Sequence, residues 1–330
     1  MALKINMHKS IKITVLLLAV FGFSAVSLSA CAKKAPDDVL LRAKEALVQL
    51  SSGRMTLEAR LSGTSEKTSL EAKGHLEAVI KNEGQSKPMA LDLTAQIDGK
   101  MGTPEKALNL NTIFNLISKE GKYYFKVDDF QTNEENLQFL VPLLKAYLGK
   151  WYRLSEDFIP PAISEFQAST VDTVKKKQLN DLFVASPLFV VETDHGIKKV
   201  DGHKTYHLSL SVNREGFKDY YRKAAQIHGT PFSEVDLEQL VAPLAYVKTI
   251  EVYIDTETYY IYRALVDVQN TITDQNPSNM RLELTFDGSE YNQNVDILIP
   301  SSTQDFNPLA LPENLGLNIE RTQVNNVDLP

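Results

Sequence analysis

Cysteine is almost missing from this chain. Cys31 is the only one in 330 residues, so no intramolecular disulfide can staple the fold. Also absent are H-E-x-x-H, G-x-S-x-G, a P-loop and a Gly-rich dinucleotide fingerprint, which removes the sequence signs of several large enzyme classes. An excess of positive charge is lacking as well. The formal charge is −7, and it becomes −10 once the first thirty residues with Lys4, Lys9 and Lys12 are set aside. Such a chain repels polyanions, and nucleic acid is excluded as a partner. Histidine is sparse: beyond residue 30 only His203 and His207 are close in sequence. On a strand they would share a face about 13 Å apart, too far to hold one zinc, so no metal site and no cofactor are expected.

The N-terminus has what the rest lacks. Three lysines and no acid precede an apolar run from Ile13 to about Val26, which is shorter than the roughly 20 residues of a spanning helix. Small residues follow it and lead to Leu28-Ser29-Ala30-Cys31. The three-part pattern is that of an export signal. The closing tetrad resembles the bacterial lipobox, which implies cleavage between Ala30 and Cys31 and diacylglycerol on the cysteine sulfur. Two or three acyl chains anchor stably, since each buried methylene contributes about 0.8 kcal/mol. Cys31 therefore reads as an anchor, not a nucleophile. The alternative is an ordinary cleaved signal that leaves a free thiol.

After a polar stretch from Ala32 to Asp38, Val39, Leu40, Ala43, Leu47 and Leu50 fall near one helical face. Seven residues span at most about 25 Å, which keeps the folded body near the bilayer. From Met55 the period changes to two. Met55, Leu57, Ala59 and Leu61 alternate with polar residues, as do Leu70, Ala72, Gly74, Leu76, Ala78 and Ile80, and then Met89, Leu91, Leu93, Ala95 and Ile97. Such strands bury one face in an antiparallel sheet. Further strands are expected near 108 to 118 and 121 to 128. A helix from the Thr132-x-x-Glu135 box to Gly149, a strand in GKWYRL and a helix from about Pro161 to Phe183 come next. The second half adds a strand around Tyr206 to Val212 and helices near 214 to 228 and 233 to 245. Strands around 250 to 254, 260 to 268 and 282 to 286 follow, with a last one near Val295 to Ile299. The segments LQFLVPLL and LEQLVAPL echo one another, through duplication or coincidence. No Gly-, Ser- or Pro-rich linker separates the halves.

The expected organisation is a signal peptide over 1–30 and a tether over 31–38, then one α+β domain over 39–304 and a polar tail over 305–330. Ten to twelve strands with one apolar face each exceed what four or five helical runs can cover, so the sheet must curl. Either the interior is filled, or a cavity for a lipid or another apolar ligand remains. From strand alternation the lining candidates are Leu57, Ala59, Leu61, Ala72, Leu76, Leu93, Ala95, Leu208 and Val252. The small residues among them leave room, or equally serve close packing.

The lipobox LSAC, GKYYFKVDD, GKWYRL, VDGHKTYHLSLSVN, TIEVYIDTETYYIYRALVDV, RLELTFDG and VDILIP together resemble the bacterial lipoprotein family that includes the mycobacterial lipid carriers LppX and LprG. The pattern is similar, more distantly, to the LolA and LolB lipoprotein carriers. The resemblance implies an antiparallel half-barrel wrapped around helices, an apolar cavity for acyl chains, and no catalytic residues. A lipid-binding envelope lipoprotein, not an enzyme, is therefore expected on the extracytoplasmic side. Ala32 after the cysteine suits the outer membrane if the cell has two membranes; a cell with one would hold it on the cell membrane. The competing readings are an envelope interaction or sensory module with a filled core and a protein partner, and a hydrolytic enzyme.

Overall fold

The computed structural model describes residues 34–65, 68–84, 89–103, 107–133, 145, 147–155, 172–229, 232–272 and 278–306. The signal segment, Leu28 to Cys31, Glu135 with most of the helix expected after Thr132, the start of the expected helix at 161 and the tail beyond 306 lie outside these residues, while Thr132 itself ends a strand and does not cap a helix.

Helix α1 (Pro36–Val48) starts earlier than its apolar spacing indicated, because Pro36 presets the first turn and Asp37 and Asp38 complement the helix dipole there. Four residues, Ala32 to Ala35, thus separate Cys31 from the helix instead of seven. Five long strands follow as a meander: β1 (Ser52–Ser65), β2 (Ser69–Lys81), β3 (Ala90–Gly102), β4 (Ala107–Lys119) and β5 (Lys122–Thr132). The short β6 (Tyr152–Leu154) closes the meander's edge. Helix α2 (Thr173–Ala185) is capped by Asp172, whose carboxylate accepts from the backbone of Val174 and Lys175.

A second meander begins with β7 (Phe189–Val200) and β8 (His203–Val212). Helix α3 (Arg214–His228), capped by Asn213 and ended by Gly229 in the left-handed region, and helix α4 (Glu234–Val241), with a Ser233/Asp236 capping box, then precede β9 (Val247–Asp255). The chain continues through β10 (Ile261–Ile272) and β11 (Ser278–Ser289). The described strands form one curved, open sheet in the order β12-β6-β5-β4-β3-β2-β1-β11-β10-β9-β8-β7, where β12 is Gln304–Asp305. The expected α+β half-barrel is present. All pairings are antiparallel except β12 with β6, and the β1–β11 pair joins the two meanders.

Two expectations change. Strand β7 has no counterpart in the sequence reading, because register shifts between Val191 and Thr193 and between Asp194 and Ile197 break its alternation. The strand expected near Val295 to Ile299 is instead a strap. After β11, residues 293 to 303 run across the outward face toward β6 and β12. Ser52 Oγ donates to the Gln293 carbonyl at 2.5 Å, Lys81 Nζ to Val295 at 2.7 Å and Lys119 Nζ to Ile297 at 2.6 Å. Ile297 packs with Ala90, Ile117 and Tyr124 on the outside of β3 to β5. The turn into this strap needs a glycine: a Cβ at Gly288 would overlap the ring and hydroxyl of Tyr291, which hydrogen-bonds the Ile261 carbonyl.

The sheet has two distinct ends. At the near end lie the β7–β8 hairpin, the β4–β5 hairpin, the β9–β10 turn and the strap; at the far end β1, β3 and β10 end and β2, β4 and β11 begin. Helix α1 begins at the near end, where Lys34 Nζ hydrogen-bonds the Tyr259 hydroxyl in the β9–β10 turn. Its Val39, Ala43 and Leu47 then pack on Leu208, Val252, Ile254 and Ile261.

Candidate functional site

The strand register turns the alternating residues into rows that cross the inward face. One row reads Leu208, Val252, Ala264, Phe286, Leu57, Leu76, Ala95 and Phe114 across β8, β9, β10, β11, β1, β2, β3 and β4. The next row toward the far end reads Leu210, Ile250, Val266, Leu284, Ala59, Gly74 and Ile97. A third holds Val268, Leu282, Leu61, Ala72, Gly99 and Leu110. No acid or base stands in these rows. These rows from β8 to β4 have no means of holding an ion and suit an apolar neighbour, while charge stands beside them at Asp194, opposite Leu208 on β7, and at Lys199 and Lys204 in the β7–β8 hairpin.

Depth differs sharply along the rows. Ile250 is fully buried at 0 % exposure, and Leu208 and Val252 are each at 1 % in the packed core under α1. The void that Val252 lines with Leu40, Ala43, Leu47 and Phe183 measures only about 20 Å³, close to the volume of one water. Leu57 belongs to the same core. Ala59 and Leu76 pack on its border, and Leu93 is half-buried beside buried Ala95. Leu61 and Ala72 are likewise half-buried, while their neighbours Ile97 and Met101 reach 39 % and 38 %. The nine candidates therefore divide into buried Leu57, Ala95, Leu208 and Val252 and half-buried Ala59, Leu61, Ala72, Leu76 and Leu93.

Glycines sharpen this division. Gly74 and Gly99 have no left-handed φ, and a Cβ at either would meet its nearest atoms, the Ala59 and Ala72 methyl carbons, at 3.7 and 3.9 Å. Neither the backbone nor steric crowding demands a glycine there. Their effect is to leave space over β1, β2 and β3.

The helices on the solid half are tied down by Lys44. Its ammonium donates to the Val184 and Ser186 carbonyls at 2.6 and 2.9 Å, satisfying the C-terminal end of α2. Burial holds this lysine below the ordinary range, against the opposing pull of Glu45.

The outward face is polar and has its own groove, about 730 Å³, toward the far end. Arg60, Glu71, Lys73, Asp98, Lys100 and Asn111 lie around it on outward positions, with the strand floor at Leu61, Ala72, Gly99 and Leu110. Such walls suit polar groups and not an acyl chain.

Sequence spacing missed one cluster on that face. His207 stacks on His195 and on Tyr253, each at 4.3 Å between ring centroids, and its Nε2 lies 3.0 Å from Glu251 Oε2. His195 is brought there by the β7–β8 register, which the bulges of β7 hide from sequence reading. The His203 and His207 pair serves no joint purpose: His203 stacks instead on Tyr262. Among the described residues no three His, Cys, Asp or Glu side chains are placed to share a metal ion. None of the described helices is long and apolar enough to cross a membrane.

The class thus defined is an open half-barrel with uncharged inward rows from β8 to β4, helix-packed on one side. No protein-family model and no curated protein matches the chain. Solved structures similar to it include LprF from Mycobacterium bovis, at 12 % identity over 82 % of this chain and 100 % of that one, with a TM-score of 0.33. The lipoprotein LppX of Mycobacterium tuberculosis is similar at 10 % identity over 80 % and 100 % of the two chains, with a TM-score of 0.28. A DUF1329 family protein from Desulfovibrio piger has 11 % identity over 79 % and 92 %, with a TM-score of 0.22. The resemblance to LppX expected from the sequence is found among them.

Proposed function

We propose that this chain is an envelope lipoprotein, anchored through acylated Cys31 on the extracytoplasmic side, whose half-barrel binds the acyl part of a lipid or another apolar ligand without bond chemistry. The observation that carries the reading is the set of uncharged inward rows from β8 to β4, sealed under α1 yet half-open over β1 to β4, with Gly74 and Gly99 leaving space that packing does not require. Burial of a chain of about 16 carbons would contribute on the order of 10 kcal/mol at about 0.8 kcal/mol per methylene. A bilayer offers the same burial, so loading and release stay near balance. The folded body from Pro36 through β12 does the binding. An interaction module with a filled core is the competing reading, favoured by the tight packing around Leu208 and Val252.

Native mass spectrometry decides between them, on protein lacking residues 1 to 31 and purified without detergent. The expected result is co-purified lipid, or uptake of offered phospholipid, that is lost in a Gly74→Leu/Gly99→Leu variant with an unchanged unfolding midpoint. A clean apo mass with no uptake by the parent protein overturns the reading.

A further inference from the structure

The position of the chain's start on the fold says how the body stands on its membrane. Lys34 is held at the near end by Tyr259, whose ring also receives the Arg42 guanidinium at 5.5 Å. Three peptide links separate Lys34 from Cys31, a reach of at most about 11 Å. Unwinding α1 cannot lengthen this leash without opening the core, because Val39 and Ala43 are buried against Ile254 and Ile261. The near end is therefore pinned within a short distance of any lipid on Cys31. The far end lies roughly 40 Å away along strands of thirteen or fourteen residues, at about 3.3 Å per residue.

The near end also carries side chains suited to that contact. On the helix-facing side of the β7–β8 hairpin, Ile197 pairs with Tyr206 and Lys199 with Lys204. Ile197 is 61 % exposed, a large apolar side chain flanked by two exposed lysines whose stems can lie along an interface while their ammonium groups meet phosphates. Lys34, Arg42 and Lys198 add positive charge here, against Asp37, Asp38, Asp201 and Glu257. The near end is thus close to neutral on a chain that is strongly acidic overall. The half-open inward residues Leu61, Ala72, Ile97 and Met101 sit toward the other end, whereas Ala78 and Ile80 on the same strand as Ala72 are buried near the anchor.

We propose that the near end, with Ile197, Lys199 and Lys204, is the surface that rests on the phospholipid headgroups of the anchoring bilayer, so that the half-open apolar rows face away from it. This rests on the lipidation of Cys31 proposed above. A ligand would then pass to an acceptor beyond the anchoring bilayer, not back into it.

The test uses the full lipidated chain in nanodiscs that contain headgroup-spin-labelled phospholipid, with a fluorophore placed through Lys199→Cys or Thr64→Cys. Acylated Cys31 leaves the introduced thiol as the sole labelling site. Quenching severalfold greater at position 199 than at 64 is expected. Equal quenching, stronger quenching at 64, or none at either in a chain that stays in the discs overturns the orientation alone. A parent chain that labels at Cys31 and washes off the discs overturns the anchor itself, and the orientation with it.

Discussion

The two halves of the sheet share one inward chemistry and differ in what lies on it. From β8 to β11 and on the adjoining part of β1 the inward residues are sealed by α1 and the second-half helices, and the void that Val252 lines there measures about 20 Å³. From β2 to β4 the same kind of alternation leads outward from buried Ala78 and Ile80 to half-exposed Leu70, Ala72 and Met101. Alternation decides which face a residue takes, while depth along the strand and the helix above it decide whether that position becomes core or surface. The packed core lies on the sealed half, whereas inward side chains of the other half such as Ile97 and Met101 stay partly in solvent.

The sharpest break in this comparison would come from matched truncations. Ile250→Ala in the sealed half removes a side chain with no solvent contact and no room to collapse, and should cost roughly 2–5 kcal/mol in urea unfolding. Ile97→Ala, in the same row on the open half, should cost less than about 1 kcal/mol, because solvent already reaches the side chain. Equal losses would mean that both halves are core and would remove the physical basis for a ligand space.

A somewhat smaller effect is expected from the strap, which stabilises the open half from outside. Ile297 is 1 % exposed over Ala90, Ile117 and Tyr124, but it belongs to an irregular segment that can settle after truncation. Ile297→Ala should therefore cost about 2–3 kcal/mol, at the low end for a buried isoleucine. Hydrogen exchange should quicken first in β3, β4 and β5, with β8 to β10 unchanged. Uniform quickening across the sheet would show that the halves open together and that the strap is not a local brace.

Much of this comparison could be read from the residues, and some could not. The period-two runs from Met55 to Ile97 identify the inward set because these strands are regular, and the curved α+β half-barrel follows from their number. Strand β7 was hidden because its bulges and Gly196, at a φ of 80°, break the period. The segment from Val295 to Ile299 deceived in the opposite way. Its alternation is a real burial pattern, with Val295 and Ile297 turned onto the outward face of the sheet, but it lies on the sheet without joining it. The nine lining candidates share one face in the strand register, but alternation is silent about depth, since the covering of Leu208 and Val252 depends on α1 packing across strands distant in sequence. The His195–His207 stack needed a register that no spacing rule supplies.

The smallest expected effect concerns the outward side of the sealed half, where charge and not packing holds neighbouring strands. Asp267 on β10 accepts from Arg281 on β11, Nε to Oδ1 at 3.0 Å and Nη2 to Oδ2 at 3.1 Å, and from Gln269 Nε2 at 2.8 Å. The Arg281 hydrogen bonds hold its carboxyl below the usual aspartate range, against a weaker opposing effect of burial. A carboxyl depressed in the folded state contributes stability above its unfolded pKa of about 3.9 and loses it as pH falls through the lower folded value. Asp267→Asn should consequently be less stable than the parent at neutral pH, by less than the truncations of Ile250 or Ile297, because Arg281 is half in solvent. The gap should close progressively below about pH 4 as the parent's carboxyl takes up its proton. Urea midpoints measured from pH 7 down to acid would show it. A gap that persisted undiminished in acid would mean that the carboxylate's charge contributes nothing, and that the β10–β11 pair is held by its inward packing alone.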